Sequence, residues 1–233
     1  MMNSSHLLVG CSFTDPLWQT AVPWSVVHAK KYPSYIVAKA GMGIKGICTE
    51  ALTFLKFLPN VTTVIIILPT LWRHDLEIDE ETPYLSNAMV DLLFADNNGH
   101  VIHEPARRKW LASGGLHFGN GNCPGKKFLK QIFKYQGFKV TAFEHLRALE
   151  NLLSYCKEHK IQYYISAIQD PLDQLQGLEY ISEDIKTALD NVEYNNWVRF
   201  DNVFIDNYLG HKMHPTTEEH EQLSEYLLKN IKF

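Results

Sequence analysis

Residues 61–68 read Val-Thr-Thr-Val-Ile-Ile-Ile-Leu, a run that is β-branched and almost wholly apolar. A strand apolar on both faces has to be covered on both faces, which is the mark of a central parallel strand. The run is also far short of the roughly 20 residues that a bilayer span requires, and no longer apolar run occurs. Such a strand constrains everything else, because parallel neighbours need crossovers and the crossovers supply the covering layers.

The chain provides both. Residues 6–10, 35–38, 161–168 and 203–205 read as further strands. Between them lie helical patterns. Residues 44–58 place Ile44, Ile47, Ala51, Leu55 and Leu58 at helical spacing, and residues 143–159 do the same with Phe143, Leu146, Leu149, Leu153 and Cys156. Residues 17–31 suggest a helix broken near Pro23, and residues 184–191 a short one. Residues 215–231 form a closing amphipathic helix on Leu223, Leu227 and Ile231, with Pro215 near its first turn. Strands alternating with helices predict an α/β fold of three layers, α/β/α, around a mainly parallel sheet of about five strands.

One stretch breaks the alternation. Residues 69–137 are rich in Gly, His, Asn, Arg and Trp. They read as a long insertion after the third strand, within a single domain of residues 1–233, with helices around 86–95 and 126–135. An irregular stretch of that length in a compact domain is usually a lid, a binding loop or a partner surface. Its aromatics Trp72, Tyr84, Trp110 and Phe118 would suit stacking on a sugar ring or closing over a substrate.

Composition narrows the function. The hydrophobic fraction of 45% excludes wholesale disorder. A net charge of −4, from 22 basic and 26 acidic residues, provides no general field for nucleic acid. The start of the chain lacks the basic and apolar regions of a secretory signal, so a cytoplasmic protein is expected, with no membrane or nucleic-acid partner. Cys11, Cys48, Cys123 and Cys156 show no CxxC spacing and read as free thiols. The histidines His211, His214 and His220, or His100 and His103, lack a metalloenzyme motif, so neither metal nor cofactor is expected.

In folds of this class the reactive groups gather at the carboxyl ends of the strands. That rule selects Ser12, the 41–43 turn, the 70–75 segment, Gln169-Asp170 and the 211–214 loop. Ser12 stands at the end of the first strand, where its hydroxyl can point upward and its own N–H can face a developing oxyanion. It needs a base, and His214 stands just before the last helix, with Pro215 fixing the backbone behind it.

This order resembles the SGNH (GDSL-like) hydrolase superfamily. Gly10-Cys11-Ser12-Phe13-Thr14 looks like its first block, in the variant where Cys stands for the usual Asp before serine. Ala40-Gly41-Met42-Gly43 looks like the second block, and residues 64–73 fall where the third belongs. His214-Pro215-Thr216 with His220 resembles the fourth. The chain departs from the pattern twice. No Asn stands in the third block, where Thr70, Leu71, Trp72 and Arg73 are found; His211 stands where the fourth block has Asp.

The resemblance implies a flavodoxin-like strand topology and a serine esterase, deacetylase or O-acyltransferase acting on a small ester or an acylated carbohydrate. Ser12 would be the nucleophile and His214 the base, with Asp206 or His211 orienting it. Gly41, Gly43, Thr70 and Arg73 would supply oxyanion donors, and Trp72 a substrate contact. The departures support a second reading, a catalytically degraded SGNH-fold binding or assembly protein that uses residues 69–137 as its contact surface. Homo-oligomerisation is left open by either reading.

Overall fold

The computed structural model of the chain describes residues 5–11, 14–17, 21–58, 60–71, 73, 75–78, 88–89, 91–95, 101–104, 109–112, 124–167 and 215–231. In chain order the elements are β1 (Ser5–Gly10), α1 (Trp24–Ala29), β2 (Ser34–Ala38), α2 (Ile44–Leu55), β3 (Val61–Leu68), β4 (Asp75–Ile78), β5 (Ala88–Met89), β6 (Asp91–Ala95), β7 (Val101–Glu104), β8 (Lys109–Ala112), α3 (Pro124–Glu158), β9 (Gln162–Ala167) and α4 (Thr217–Asn230).

The main sheet has six strands in the order β7-β6-β2-β1-β3-β9. β2, β1, β3 and β9 are parallel, and β3 lies between β1 and β9 as its two-faced apolar pattern requires. Alternate side chains of these strands enter two separate cores. Leu7, Val9, Val64, Ile66, Leu68 and Ile165 pack against α2 and α3. Leu8, Ile36, Ile65, Ile67 and Leu93 pack against α1 and α4 through Trp24, Leu223, Leu227 and Ile231. The result is the three-layer α/β/α architecture expected from the alternation. Each fully buried Leu or Ile contributes roughly 1.5–3 kcal/mol relative to an exposed one, so strands such as β3 anchor both layers at once.

The inserted segment departs from expectation. Residues 86–95 suggested a helix, yet Ala88–Met89 and Asp91–Ala95 are strands. β6 lies antiparallel to β2, with Leu93 opposite Ile36 and Phe94 opposite Tyr35, and β7 pairs with β6. The edge of the parallel sheet supplied the hydrogen-bond partners that override a helical periodicity. β4, β8 and β5 make a second, three-stranded sheet. Trp110 of β8 is buried and donates its indole N–H to Glu50 Oε1 on α2 at 2.9 Å, which removes it from the aromatics available to stack on a substrate.

Three boundaries shift for local reasons. α1 starts only after Pro23, which serves as its N-cap, rather than running through it. α2 ends at Leu55, and residues 56–58 form a turn. α3 is two helical stretches joined at Gly137, whose φ of 74° no helix allows. The expected helix at 184–191 and strand at 203–205 lie outside the described residues. No helix among the described residues is long and apolar enough to cross a membrane.

Candidate active site

The carboxyl ends of β1, β2 and β3 lead into three loops that converge. The first leaves β1 at Gly10 and turns at once, with the Cys11 carbonyl accepting from the N–H groups of Thr14 at 2.9 Å and Asp15 at 3.0 Å. Thr14 is buried and holds the start of α1. Its hydroxyl accepts from Trp24 Nε1 at 3.2 Å, and its carbonyl from the Ser25 hydroxyl at 2.7 Å. Val22, beside that start, donates its N–H to Thr217 Oγ1 at 3.3 Å, at the first turn of α4. That helix opens with a reciprocal cap. Thr216 Oγ1 accepts from Glu219 N–H at 3.3 Å, and Glu219 Oε2 accepts from Thr216 N–H at 2.6 Å.

The second loop runs from β2 into α2. Gly41 has φ 84°, a backbone conformation that a side chain would strain. Gly43 is the N-cap of α2, and a Cβ there would come within 2.7 Å of Asp75 Oδ2. The carboxylate is that close because it collects the helix's first donors. Asp75 Oδ1 accepts from Gly43 N–H at 2.7 Å and Oδ2 from Gly46 N–H at 2.9 Å. A carboxylate at a helix N-terminus satisfies orphan N–H groups and complements the helix dipole. Burial raises the Asp75 pKa above the ordinary carboxylate value, while His145, the two N–H groups and Arg73 act in the opposite sense.

His145 of α3 completes the arrangement. Its Nδ1 accepts from Lys45 N–H at 2.9 Å, so Nε2 carries the proton and donates to the Arg73 carbonyl at 2.5 Å. Those two bonds define one neutral tautomer. Burial, the largest influence, lowers the His145 pKa in the same direction. The Arg73 guanidinium is buried and its Nη1 donates to the Met42 carbonyl at 2.9 Å.

These contacts sort the residues selected from sequence. Gly43 N–H is committed to Asp75, so it is no longer a candidate oxyanion donor. Arg73 supports the Met42 peptide instead of forming a surface ion pair. Thr70 is buried, and its carbonyl accepts from Arg73 N–H at 3.5 Å. Gly41 is partly exposed, and among the described residues its N–H meets no acceptor. Ser12, Trp72, Asp206, His211 and His214 lie outside the described residues. Cys11, Cys48 and Cys156 are buried free thiols. Burial pushes the Cys156 thiol up to about 12, and Cys48 is raised for the same reason, so neither offers a thiolate near neutral pH. Among the described residues no group of three His, Cys, Asp or Glu side chains could hold a metal ion.

Asp15 and His145 escaped the sequence reading, and Asp75, although inside the selected 70–75 segment, was given no role there. A signal existed for His145, which shares the buried face of α3 with Ala142 and Leu149 and is itself buried. A polar group on an apolar helix face needs partners for both ring nitrogens.

No protein-family model matches the chain, and no curated protein matches it. Among solved structures, an acetyl xylan esterase from the rumen bacterium Butyrivibrio proteoclasticus is similar to it, at 12% identity and a TM-score of 0.43. The similarity covers 97% of this chain and 64% of that one, so the chain spans about two thirds of that esterase's length.

Proposed function

We infer that the chain is a serine esterase or acyltransferase of SGNH type, acting on a small ester or an acylated carbohydrate. The observation that carries this reading is a set of hydrogen bonds that link the loop after β1, the turn after β2 and the first turn of α4. Asp15, in the loop that contains Ser12, accepts from Ala40 N–H at 2.9 Å, next to Gly41. Thr14 of the same loop binds Trp24 and Ser25, whose neighbour Val22 binds Thr217 at the start of α4. His214 stands three residues before Thr217 in the sequence. The loop after β1 is thus bonded to the turn after β2 and, through the start of α1, to the first turn of α4, which supports this reading. Strand order agrees, since β1 lies between β2 and β3 and ligands of such sheets bind where the order reverses.

In this reaction Ser12 Oγ attacks the ester carbonyl carbon while His214 takes the hydroxyl proton. The tetrahedral oxyanion is held by the N–H groups of Ser12 and Gly41. Collapse breaks the ester bond, and the departing alcohol receives the proton from His214. Water or a sugar hydroxyl then attacks the acyl-enzyme, with His214 as base again, and releases acid or new ester. His214 would need its second nitrogen held, by Asp206, His211 or a backbone carbonyl. With Asp206 the imidazolium gains a negative partner. With a neutral partner turnover is slower, as loss of the orienting carboxylate can cost about four decades in a serine triad.

The alternative is a non-catalytic binding or assembly protein of the same fold. It draws on β7, a strand at the outer edge of the main sheet as ordered among the described residues. A fluorophosphonate probe separates the two, since only an activated serine labels. Labelling and ester hydrolysis that vanish in Ser12→Ala, in a protein that melts normally, support the esterase. An unlabelled wild-type protein supports the binding protein.

A further inference from the structure

The turn after β2 is gripped on both sides of Gly41 by buried carboxylates. On one side Asp15, 2% exposed, accepts from Leu17 N–H through Oδ1 and from Ala40 N–H through Oδ2, both at 2.9 Å. On the other, Asp75, 6% exposed, accepts from Gly43 at 2.7 Å and Gly46 at 2.9 Å. The peptide between is held as well. Met42 N–H donates to the Lys39 carbonyl at 3.2 Å, and the Met42 carbonyl accepts from Arg73 at 2.9 Å. Ala40, Met42 and Gly43 therefore have acceptors for their N–H groups, whereas Gly41, between them, has none among the described residues.

A partly exposed N–H in a mobile turn would swing to whatever acceptor came near. Here the Lys39–Ala40 and Met42–Gly43 peptides cannot rotate without breaking a bond to a buried carboxylate, nor the Gly41–Met42 peptide without breaking its bond to the Lys39 carbonyl, and an unpaired buried donor or acceptor is costly. A carboxylate suits the task because its two oxygens can hold two N–H groups at once. We propose that Asp15 and Asp75 are positioning residues that lock the turn from both sides and present the Gly41 N–H as a preset donor to an oxyanion formed at Ser12. The proposal rests on the serine-esterase reading above. Its physical basis is that a donor already in place needs no reorganisation when charge develops, which is where such donors gain their effect. Asp15 also ties Leu17, in the segment after β1, to the turn after β2.

The test uses the full chain, p-nitrophenyl acetate and a fluorophosphonate probe. Asp15→Asn and Asp75→Asn keep side-chain shape but place an amide nitrogen where one N–H pointed, which breaks one bond of each pair. Each is expected to lower kcat and the labelling rate about tenfold to hundredfold, short of the full loss of an oxyanion donor. KM and the inflection of the pH–rate profile should stay in place, since binding and the Ser12–His214 pair are untouched; a loss from general unfolding would not spare them. Amide hydrogen exchange on the wild-type protein needs no substitution and stands even where a variant fails to fold. Gly41 N–H should exchange at least about a hundredfold faster than those of Gly43 and Gly46, as expected of an amide without a protein acceptor. Protection of Gly41 equal to theirs overturns the proposal. So does wild-type kcat in both variants while Ser12→Ala abolishes turnover, and in that case the esterase reading survives. Wild-type hydrolysis that Ser12→Ala leaves unchanged removes the esterase reading itself and the positioning role with it.

Discussion

The two ends of the parallel sheet bury polar groups in different ways. At the carboxyl end, Asp15 and Asp75 each accept two backbone N–H groups, and His145 bridges a backbone donor and a backbone acceptor. At the amino end, where β1 and β2 begin, two buried histidines pair with each other, while the Ser5 and Ser34 hydroxyls donate to backbone carbonyls. His6 Nδ1 and His28 Nε2 lie 2.9 Å apart and share one proton between them. Tyr32 stacks on His6 with ring centroids 4.9 Å apart, and Trp24 meets His28 edge-on at 6.1 Å. Burial lowers His6 to about 4 and His28 to about 3, the latter with smaller contributions from His6 and Lys31. The difference is one of purpose. Carboxylates on backbone donors fix the path of loops, which is what a reaction centre needs. A neutral histidine pair among aromatic rings fills a core and tolerates no charge.

Three experiments would break or sharpen that contrast. The largest effect is expected at the carboxyl end. Asp75→Ala leaves the N–H groups of Gly43 and Gly46 without their acceptor, and each buried unsatisfied donor costs about 1–3 kcal/mol. A loss on the order of 3 kcal/mol in urea unfolding is expected, and a loss below about 1 kcal/mol would show that water replaces the carboxylate.

Acid should act first at the amino end. Both histidines have folded pKa values below the unfolded 6.5, so the unfolded chain binds more protons in that range. Their contribution is complete above pH 6.5 and is lost as pH falls through 6.5 toward about 4 for His6 and about 3 for His28. Between pH 6.5 and 5 the loss should be on the order of 1–2 kcal/mol per histidine, seen as a falling urea midpoint. His28→Gln should flatten that slope; an unchanged slope would assign the acid sensitivity elsewhere.

The smallest effect is expected at an exposed cap of the carboxyl end. Thr216→Ala removes the side-chain acceptor of the α4 capping box, worth about 1 kcal/mol, or a Tm lower by roughly 2–4 °C in a chain of this size. A shift as large as that of Asp75→Ala would mean that burial does not separate the two.

Much of the first half of the fold was legible because its signals are local. The continuous apolar runs of β1, β2 and β3 and the helical spacing of α2 need no knowledge of distant residues, and their boundaries came out within a few positions. Residues 88–95 failed the same treatment because their partner is β2, more than fifty positions earlier, as Ile36↔Leu93 pairing shows. The candidate site divided likewise. Ser12, Gly41 and His214 were selected from their places at element ends, and Ser12 and His214 lie outside the described residues. Asp75 and His145 were given no role, since their contacts with α2 span 32 and 100 positions. No spacing rule reaches that far.

By itself the sequence determined the α/β class and the central place of Val61–Leu68, because hydrophobic periodicity acts over a few positions. Only the tertiary structure decided that the insertion extends the sheet through β6 and β7, and that Trp110 belongs to the core. It also decided that Gly43 N–H is spent on Asp75 while Gly41 N–H meets no acceptor among the described residues. Backbone donors are identical in every residue, so which of them stays available depends on what the rest of the chain brings against it.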